Sequence, residues 1–233
     1  MIEYYFSNPI IYVEWMAFFA SFNFFSISYP RPMRLFSLVL GTMVLAEILA
    51  TYMAFKFHHN GIVYNIFDFM WYPGYMLIFY LQIQSTKHRK YILIILFSFY
   101  AFALVNFRFF QDHQWLAHRT FMLGSLCVVA CSLFALVQIS HLKNQYSFKN
   151  DPLFWISNAM LFYFFPSSIL IGGFEYFGQK EIPISDAYGY AFRLSQKILN
   201  VIHYSLLTYA FVCRSIFPQS SIELDNKALL VQK

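Results

Sequence analysis

The chain has 233 residues, of which 59% are hydrophobic, 22% aromatic and only 12% charged. A soluble domain of this length cannot hide so much apolar surface behind so few charges, so the composition indicates a polytopic membrane protein. The formal net charge of +5 comes mainly from basic residues between the apolar stretches, where they meet lipid headgroups, and gives no argument for nucleic acid binding.

Seven apolar stretches are each long enough to cross a hydrocarbon core of about 30 Å, which takes roughly 20 helical residues. In chain order the predicted spans are Pro9–Tyr29, Met33–Phe57, Ile62–Ile83, Tyr91–Phe110, His118–Ile139, Pro152–Tyr176 and Tyr190–Ser215. The connections are short. We therefore expect an all-α protein with one seven-helix transmembrane domain, residues 1–216, and a short cytoplasmic tail, residues 217–233.

Basic residues in the predicted connections lie almost entirely on one side of the membrane. From the first connection to the tail, that side holds Arg31, Arg34, Lys87, Arg89, Lys90, Lys143, Lys149, Arg214, Lys227 and Lys233. The loops of the other side hold Lys180. Because short cytoplasmic loops carry the excess of Lys and Arg, we expect the N-terminus outside and the C-terminus in the cytoplasm.

Acidic and amide side chains inside the first three spans concentrate in the outer half of the bilayer. The first span carries Glu14, the second Glu47, and the third Asn65 and Asp68, which are three residues apart on one helix face. Such groups are costly in a membrane and usually face a bundle interior or a watery cavity. Their clustering on one side predicts a polar pocket that opens to the outside.

The seventh span carries the longest polar stripe of the chain. Spacings of three and four residues place on one stripe Arg193, Gln196, Lys197, Asn200, His203 and Tyr204. At about 1.5 Å per residue, the stripe runs from the outer boundary to about the bilayer centre. Lipid would not tolerate it, so we expect it to face the bundle interior.

These patterns predict a ligand-binding site and assign no catalytic and no metal-binding residue. The predicted members are Glu47, Asn65, Asp68, Arg193, Lys197, Asn200, His203 and Tyr204. A purely structural alternative pairs the acidic residues with basic residues of the fifth and seventh spans, as interior ion pairs that fix helix register. The two hypotheses differ in whether a void lies beside these groups.

A receptor-like sensor explains the topology, the outward pocket and the lack of a catalytic motif. Its ligand would be a small polar molecule from outside, no cofactor is predicted, and the signal would pass to a partner protein because the tail is short. A transporter or proton-relay subunit is an alternative, since acidic groups that face a basic stripe could relay protons. An intramembrane lipid-processing enzyme is a further alternative, in which Glu47, Asp68 and His203 could hold a metal or act as acid and base on a lipid.

Two cofactor-dependent alternatives depend on residues of the seventh span. Seven-helix lipid hydrolases of the ceramidase type bind zinc through several histidines that include a paired HxxxH, whereas this span offers His203 alone. Microbial rhodopsins bind retinal through a seventh-helix lysine with a third-helix aspartate, which would be Lys197 and Asp68. Their usual acidic residue one turn before the lysine is Arg193 here. Neither zinc nor retinal is therefore predicted.

One stretch of the sixth span resembles a group of known sequences. The segment Asp151–Asn158 (DPLFWISN), followed by Leu161–Tyr163 (LFY), is similar to uncharacterised seven-helix proteins of Bacteroidota-type bacteria that are associated with histidine-kinase signalling. The resemblance implies an accessory sensor in a bacterial inner membrane, with a histidine kinase as a possible partner. It implies no ligand and no functional residue.

Overall fold

The computed structural model describes residues 9–25, 31–110, 117–141, 151–179 and 186–216. These residues form α-helices and short helical turns with no strand, which confirms the all-helical prediction for the described part of the chain. The helices are α1 (Pro9–Ser21), α2 (Leu35–Phe57), α3 (Gly61–Gln82), α4 (Thr86–Val105), α5 (His118–His141), α6 (Pro152–Gln179) and α7 (Asp186–Ile216). The predicted tail, residues 217–233, and the loop residues Lys143, Lys149 and Lys180 lie outside the described residues.

Length and composition make this an integral membrane protein. Four helical segments are long and apolar enough to cross a membrane, namely Arg31–Phe57, Thr86–Phe110, His118–His141 and Pro152–Phe177, and Pro9–Phe25 is a shorter apolar helix. The helices also turn large apolar side chains outward, since Leu38, Phe97 and Phe109 are 66%, 70% and 72% exposed. Extensive exposed apolar surface of this kind marks a membrane or partner contact.

Several helix ends differ from the predicted spans for local reasons. Helix α4 begins at Thr86, five residues before the predicted Tyr91, because the Ser85 side chain accepts a hydrogen bond from the backbone N–H of His88 and caps the helix. Its far end continues into a π-helical turn, Asn106–Phe110. Helix α1 ends early, at Ser21, and passes into a 3₁₀ turn, Phe22–Phe25.

The helices pack as a ring with one helix outside it. Going around the ring, α1 packs on α2, α2 on α3, α3 on α5, α5 on α6, α6 on α7, and α7 returns to α1. Helix α4 packs against α3 and α5. The ring therefore encloses an interior to which α1, α2, α3, α5, α6 and α7 all contribute.

The two ends of the ring are filled differently. At the end where α2 begins and α3 finishes, Phe24, Phe36 and Phe211 are fully buried. The ring of Phe211 lies 4.8 Å from that of Phe24 and 5.8 Å from that of Phe36, centroid to centroid. We call these three residues the phenylalanine cluster. The other end, where α2 finishes and α3 begins, contains the cavity described next and is called the cavity end.

Candidate ligand-binding cavity

A cavity of ≈ 220 Å³ lies inside the ring toward the cavity end. Six helices line it, and α4 does not. The lining residues are Glu14 of α1, Met43 and Glu47 of α2, Tyr64, Asp68, Trp71, Tyr72 and Tyr75 of α3, Phe121 of α5, Tyr163 and Phe164 of α6, and Asn200, His203 and Tyr204 of α7. At roughly 30 Å³ per water molecule, this volume corresponds to about seven waters, which is enough for a small organic ligand.

Helix α3 forms the largest part of the wall. Its five lining residues follow one another at spacings of four, three, one and three, which keeps them on one face of an α-helix. Asp68 lies in the middle of this face and is 3% exposed. At 1.5 Å per residue, it sits about 10 Å along the axis from the helix start at Gly61. An acidic group is thereby held well inside the bundle between aromatic neighbours.

Three carboxyl groups meet in this cavity. Glu14 is 2% exposed, and its carboxyl group interacts electrostatically with that of Glu47. The Tyr64 hydroxyl donates toward both carboxyl oxygens of Glu47, at 3.2 Å and 3.1 Å. Because a hydroxyl has a single proton, it cannot fully satisfy two acceptor oxygens at once. The acidic side of the cavity therefore retains unused acceptor capacity.

Four buried polar atoms of lining residues have no hydrogen-bond partner among the described residues. They are Glu14 Oε1, Asp68 Oδ2, Trp71 Nε1 and His203 Nε2. Native proteins pair nearly all their buried polar groups, and an unpaired group typically costs about 1–3 kcal/mol. Four such atoms around one void indicate a site that is completed by water or by a ligand.

The tautomer of His203 follows from its one hydrogen bond. Its Nδ1 lies 3.0 Å from the carbonyl oxygen of Ala159 on α6. A carbonyl oxygen can only accept, so Nδ1 carries a proton and donates it. In the neutral ring, Nε2 is then an acceptor, and this is the atom that lacks a partner. The ring is held in place by Tyr163, whose centroid is 4.7 Å away.

The remaining wall is aromatic and fixed by few polar contacts. The Phe164 ring lies 5.7 Å from that of Tyr72 and 5.8 Å from that of Tyr75. The Tyr72 hydroxyl is 3.5 Å from Ser125 Oγ, and the Tyr75 hydroxyl donates to the sulfur of Met43 at 3.2 Å. These contacts hold the rings beside the void instead of letting them fill it.

The structure brings together five of the eight residues predicted for the site. Glu47, Asp68, Asn200, His203 and Tyr204 all line the cavity, although they are carried by α2, α3 and α7. The void beside them favours a binding site over a purely structural set of packed polar groups. Their assignment to a ligand remains a prediction.

The expectation that Arg193 and Lys197 face the cavity is wrong. Both side chains are exposed, neither lines the void, and no ion pair joins either of them to Glu47 or Asp68, all four being described residues. Lys197 lies about 120° around the helix from His203, because each residue turns an α-helix by about 100°. The predicted polar stripe of α7 is therefore wider than the face of α7 that the neighbouring helices cover.

Two further polar residues have structural partners outside the cavity. The Asn65 side chain, predicted as a site residue, instead accepts a hydrogen bond from the backbone N–H of Ala117 at 2.7 Å, just before α5 begins. Arg119, which the structural alternative paired with an interior acid, lies 3.4 Å from Glu175 and is 54% exposed. Both contacts tie helix ends together, and neither residue lines the cavity.

Sequence reasoning missed most of the aromatic wall. The sequence indicates Glu14 as an intramembrane acid without assigning it to the site. Among the tyrosines that line the cavity, it assigns only Tyr204 to the site. The signal that could have found them is periodic: Tyr64, Trp71, Tyr72 and Tyr75 recur at helical spacing around Asp68. In a chain with 30 Phe and 18 Tyr, that pattern was hidden by aromatic residues that face outward.

Comparison with known proteins assigns no family to this chain. No protein-family model, curated protein or solved structure matches it.

Proposed function

We propose that this protein is a receptor-like membrane sensor whose cavity binds a small ligand from the extracytoplasmic side. The observation that carries the proposal is the set of four unpartnered buried polar atoms around one void. A bundle stabilised only by packing is not expected to place Glu14 and Asp68 beside a cavity, because burying unpaired polar groups is costly.

We expect a seven-span topology with the N-terminus outside, and such a topology would suit this role. In that arrangement the cavity end faces outward. Arg31, Arg34, Lys87, Arg89 and Lys90 lie at the opposite, cytoplasmic end, and Lys56, Arg108 and Arg119 lie at the outer helix ends. A ligand would then reach the cavity from the periplasm of a bacterial cell. Reporter fusions in successive loops test the topology, and a periplasm-active reporter that works within Lys87–Lys90 would contradict it.

The output of the proposed sensor is a partner protein. The resemblance of Asp151–Asn158 to seven-helix proteins associated with kinase loci supports a histidine kinase in this role. In-cell crosslinking from an engineered position at the cytoplasmic end should capture such a kinase. Recovery of the protein alone, under conditions where its ligand site is occupied, would count against signalling through a kinase.

Ligand occupancy is the direct test of the sensor proposal. Native mass spectrometry of the protein, extracted gently from its own membrane, should show a bound small molecule that disappears when Asp68 is replaced by Asn. A matched change outside the cavity, Glu175→Gln, should leave occupancy unchanged. If the protein carries no molecule, and if no compound from a chemically broad panel changes its melting temperature, the cavity is not a ligand site.

A transporter or proton-relay subunit is the second candidate. The closeness of Glu14 and Glu47 in one membrane cavity favours it, because intramembrane carboxyl groups recur in proton pathways. The two candidates separate in proteoliposomes with a pH-sensitive dye inside. Ligand-dependent proton movement that is lost in Glu47→Gln would favour transport, whereas binding without proton movement favours the sensor.

A further inference from the structure

We infer that the ligand of this cavity is a small organic cation, a primary amine or a quaternary ammonium compound, held by the carboxyl groups and enclosed by aromatic rings. The inference rests on the proposed binding function and adds the chemical class of the ligand. It departs from the expectation of a mixed-charge pocket, because the two basic residues assigned to that pocket lie outside it.

The first argument is the charge balance of the wall. Glu14, Glu47 and Asp68 line the cavity, and no lysine or arginine among the described residues does so. Arg193 and Lys197, the nearest candidates along α7, are exposed. A carboxyl group taken out of water either holds a proton and is neutral or is paired with a positive charge. The described residues of the wall supply three acidic groups and no lysine or arginine, so a cationic ligand is the partner with which these groups can be ionised.

The second argument is the number and kind of aromatic rings. Eight of the lining residues have aromatic rings apart from His203: Tyr64, Trp71, Tyr72, Tyr75, Phe121, Tyr163, Phe164 and Tyr204. The faces of Tyr and Trp rings attract ammonium groups, and sites that bind quaternary ammonium ligands are built as cages of such rings. An anionic ligand would be repelled by the same faces and by the carboxyl groups.

The third argument is the direction of the unused hydrogen bonds. Glu14 Oε1, Asp68 Oδ2 and, in the neutral ring, His203 Nε2 are acceptors, against the single donor Trp71 Nε1. A ligand that satisfies them must bring donors, as an ammonium group does with its N–H bonds. Quaternary compounds lack those bonds and would rely on charge and ring contacts, so the acceptors favour a primary amine.

Two other ligand types fit less well. A single metal ion would need several close ligands, and no group of three or more His, Cys, Asp or Glu side chains among the described residues could hold one. The void, with room for about seven waters, is also larger than one ion requires. A neutral polyol could use the acceptors and stack on the rings, but it offers no positive charge to an ionised carboxyl group.

Matched pairs of cation and neutral analogue test the inference. Choline and 3,3-dimethylbutan-1-ol have the same shape and differ in charge, and phenethylamine and 2-phenylethanol differ mainly in the ammonium group. Equilibrium binding to the full-length protein in lipid nanodiscs, at constant sodium concentration, should show saturable binding of at least one of the two cations. We expect that cation to bind about tenfold or more tightly than its neutral partner, because a buried charge pair is lost.

Two variants connect the binding to the proposed groups. Asp68→Asn, which keeps the size of the side chain, should weaken cation binding about tenfold or more while neutral analogues are little affected. If Asp68→Asn does not fold, Glu47→Gln is the second variant in which weaker cation binding is expected. The control, Glu175→Gln, removes a carboxylate outside the cavity and should bind the cation like the parent protein. Melting curves establish that each variant is folded.

The outcomes separate this inference from the proposed function. Tighter binding of a cation than of its neutral partner, with loss in Asp68→Asn, supports both. Equal or tighter binding of a neutral analogue, a neutral polyol or the anion 3,3-dimethylbutanoate leaves a binding site but overturns the cationic class. In a separate titration without organic compound, saturable binding of sodium that is lost in Asp68→Asn overturns the organic ligand. If no member of the panel binds, the inference fails, and native mass spectrometry then decides whether the site function fails with it.

Discussion

The same four helices, α1, α2, α3 and α7, build a solid end and a hollow end of one bundle. At the solid end Phe36 of α2, Phe79 of α3, Phe211 of α7 and Phe24 of the 3₁₀ turn that follows α1 are fully buried, and the three rings of the phenylalanine cluster pack on one another. At the hollow end the same helices contribute three carboxyl groups, His203 and tyrosines around a void. The difference indicates that stability and binding are divided along the length of each helix instead of between helices.

Tyr75 marks the boundary between the two ends. It is fully buried, its ring lies 6.1 Å from that of Phe36, and it also lines the cavity. Changes on the phenylalanine side of this residue should therefore alter stability with little direct effect on the ligand site. Changes on the other side should alter the site at a smaller cost in stability.

The largest effect is expected from Phe211→Ala. This change removes the ring that contacts both Phe24 and Phe36, and large-to-small substitutions of buried Phe typically cost about 3–5 kcal/mol. Thermal unfolding in nanodiscs should show a clear loss of melting temperature. Phe97→Ala, at a position that is 70% exposed, is the control and should cost much less. Equal losses would contradict the division into a solid and a hollow end.

A smaller effect is expected from Gly124→Ala. An added Cβ at Gly124 would come within 2.6 Å of the Tyr72 ring, which lines the cavity and has little room to move between its neighbours. Overpacking of this kind costs about 1–3 kcal/mol, whereas Gly→Ala within a helix otherwise gains up to about 1 kcal/mol. Gly173→Ala meets its nearest atom at 3.8 Å and should be neutral or stabilising. If both variants gain stability, Tyr72 is not held as described.

Loss of the hydrogen bond from Tyr64 to Glu47 should lower the stability by less than Gly124→Ala does. Tyr64→Phe keeps the ring and removes the donor, which typically costs about 1 kcal/mol. The comparison is Tyr190→Phe, at an exposed position of α7, where no loss is expected. Because Glu47 would lose the hydrogen bond that Tyr64 donates, we expect a clear change in cation affinity and only a small change in melting temperature. An unchanged response would argue that Glu47 has no role in binding.

The smallest effect is expected from Lys197→Met. If Lys197 were an interior ion-pair partner of Asp68, its removal would lower the stability by about 3–5 kcal/mol, because a buried charge would be left unpaired. Lys197 is exposed and forms no such pair, so the change should alter stability by no more than about 0.5 kcal/mol. Arg119→Gln provides a comparison, since an exposed ion pair is usually worth less than about 1 kcal/mol. A large loss in Lys197→Met would restore the interior ion-pair hypothesis.

Composition and periodicity predicted the helical class and the approximate position of the helices, because apolar runs reflect the environment of the whole helix. They also predicted Glu47, Asp68 and His203 as interior groups, since each is too polar to face lipid. Helix ends were less predictable. The early start of α4 depends on the capping hydroxyl of Ser85, a single side chain that a hydropathy pattern does not detect.

The error on α7 has a geometric origin. Residues that follow one another at spacings of three and four cover a wide arc, and the sequence does not say which edge of that arc the neighbouring helices cover. Asn200 and His203 fall inside the covered arc, whereas Lys197 falls outside it. A long, flexible side chain such as that of lysine can also reach the headgroup region from the helix surface, which removes much of the cost of exposure to lipid.

The contact between α1 and α7 has a consequence for the order of assembly. Membrane helices form largely on their own and then associate. The contacts that close the ring include the Phe24–Phe211 ring pair, and they join the start of the described chain to residues beyond position 200. Contacts so distant in sequence form late, because a long stretch of chain must first be brought together. A nascent protein that has released only α1 to α6 therefore lacks the α7 wall of the cavity, and ligand binding reports that α7 has entered the bundle.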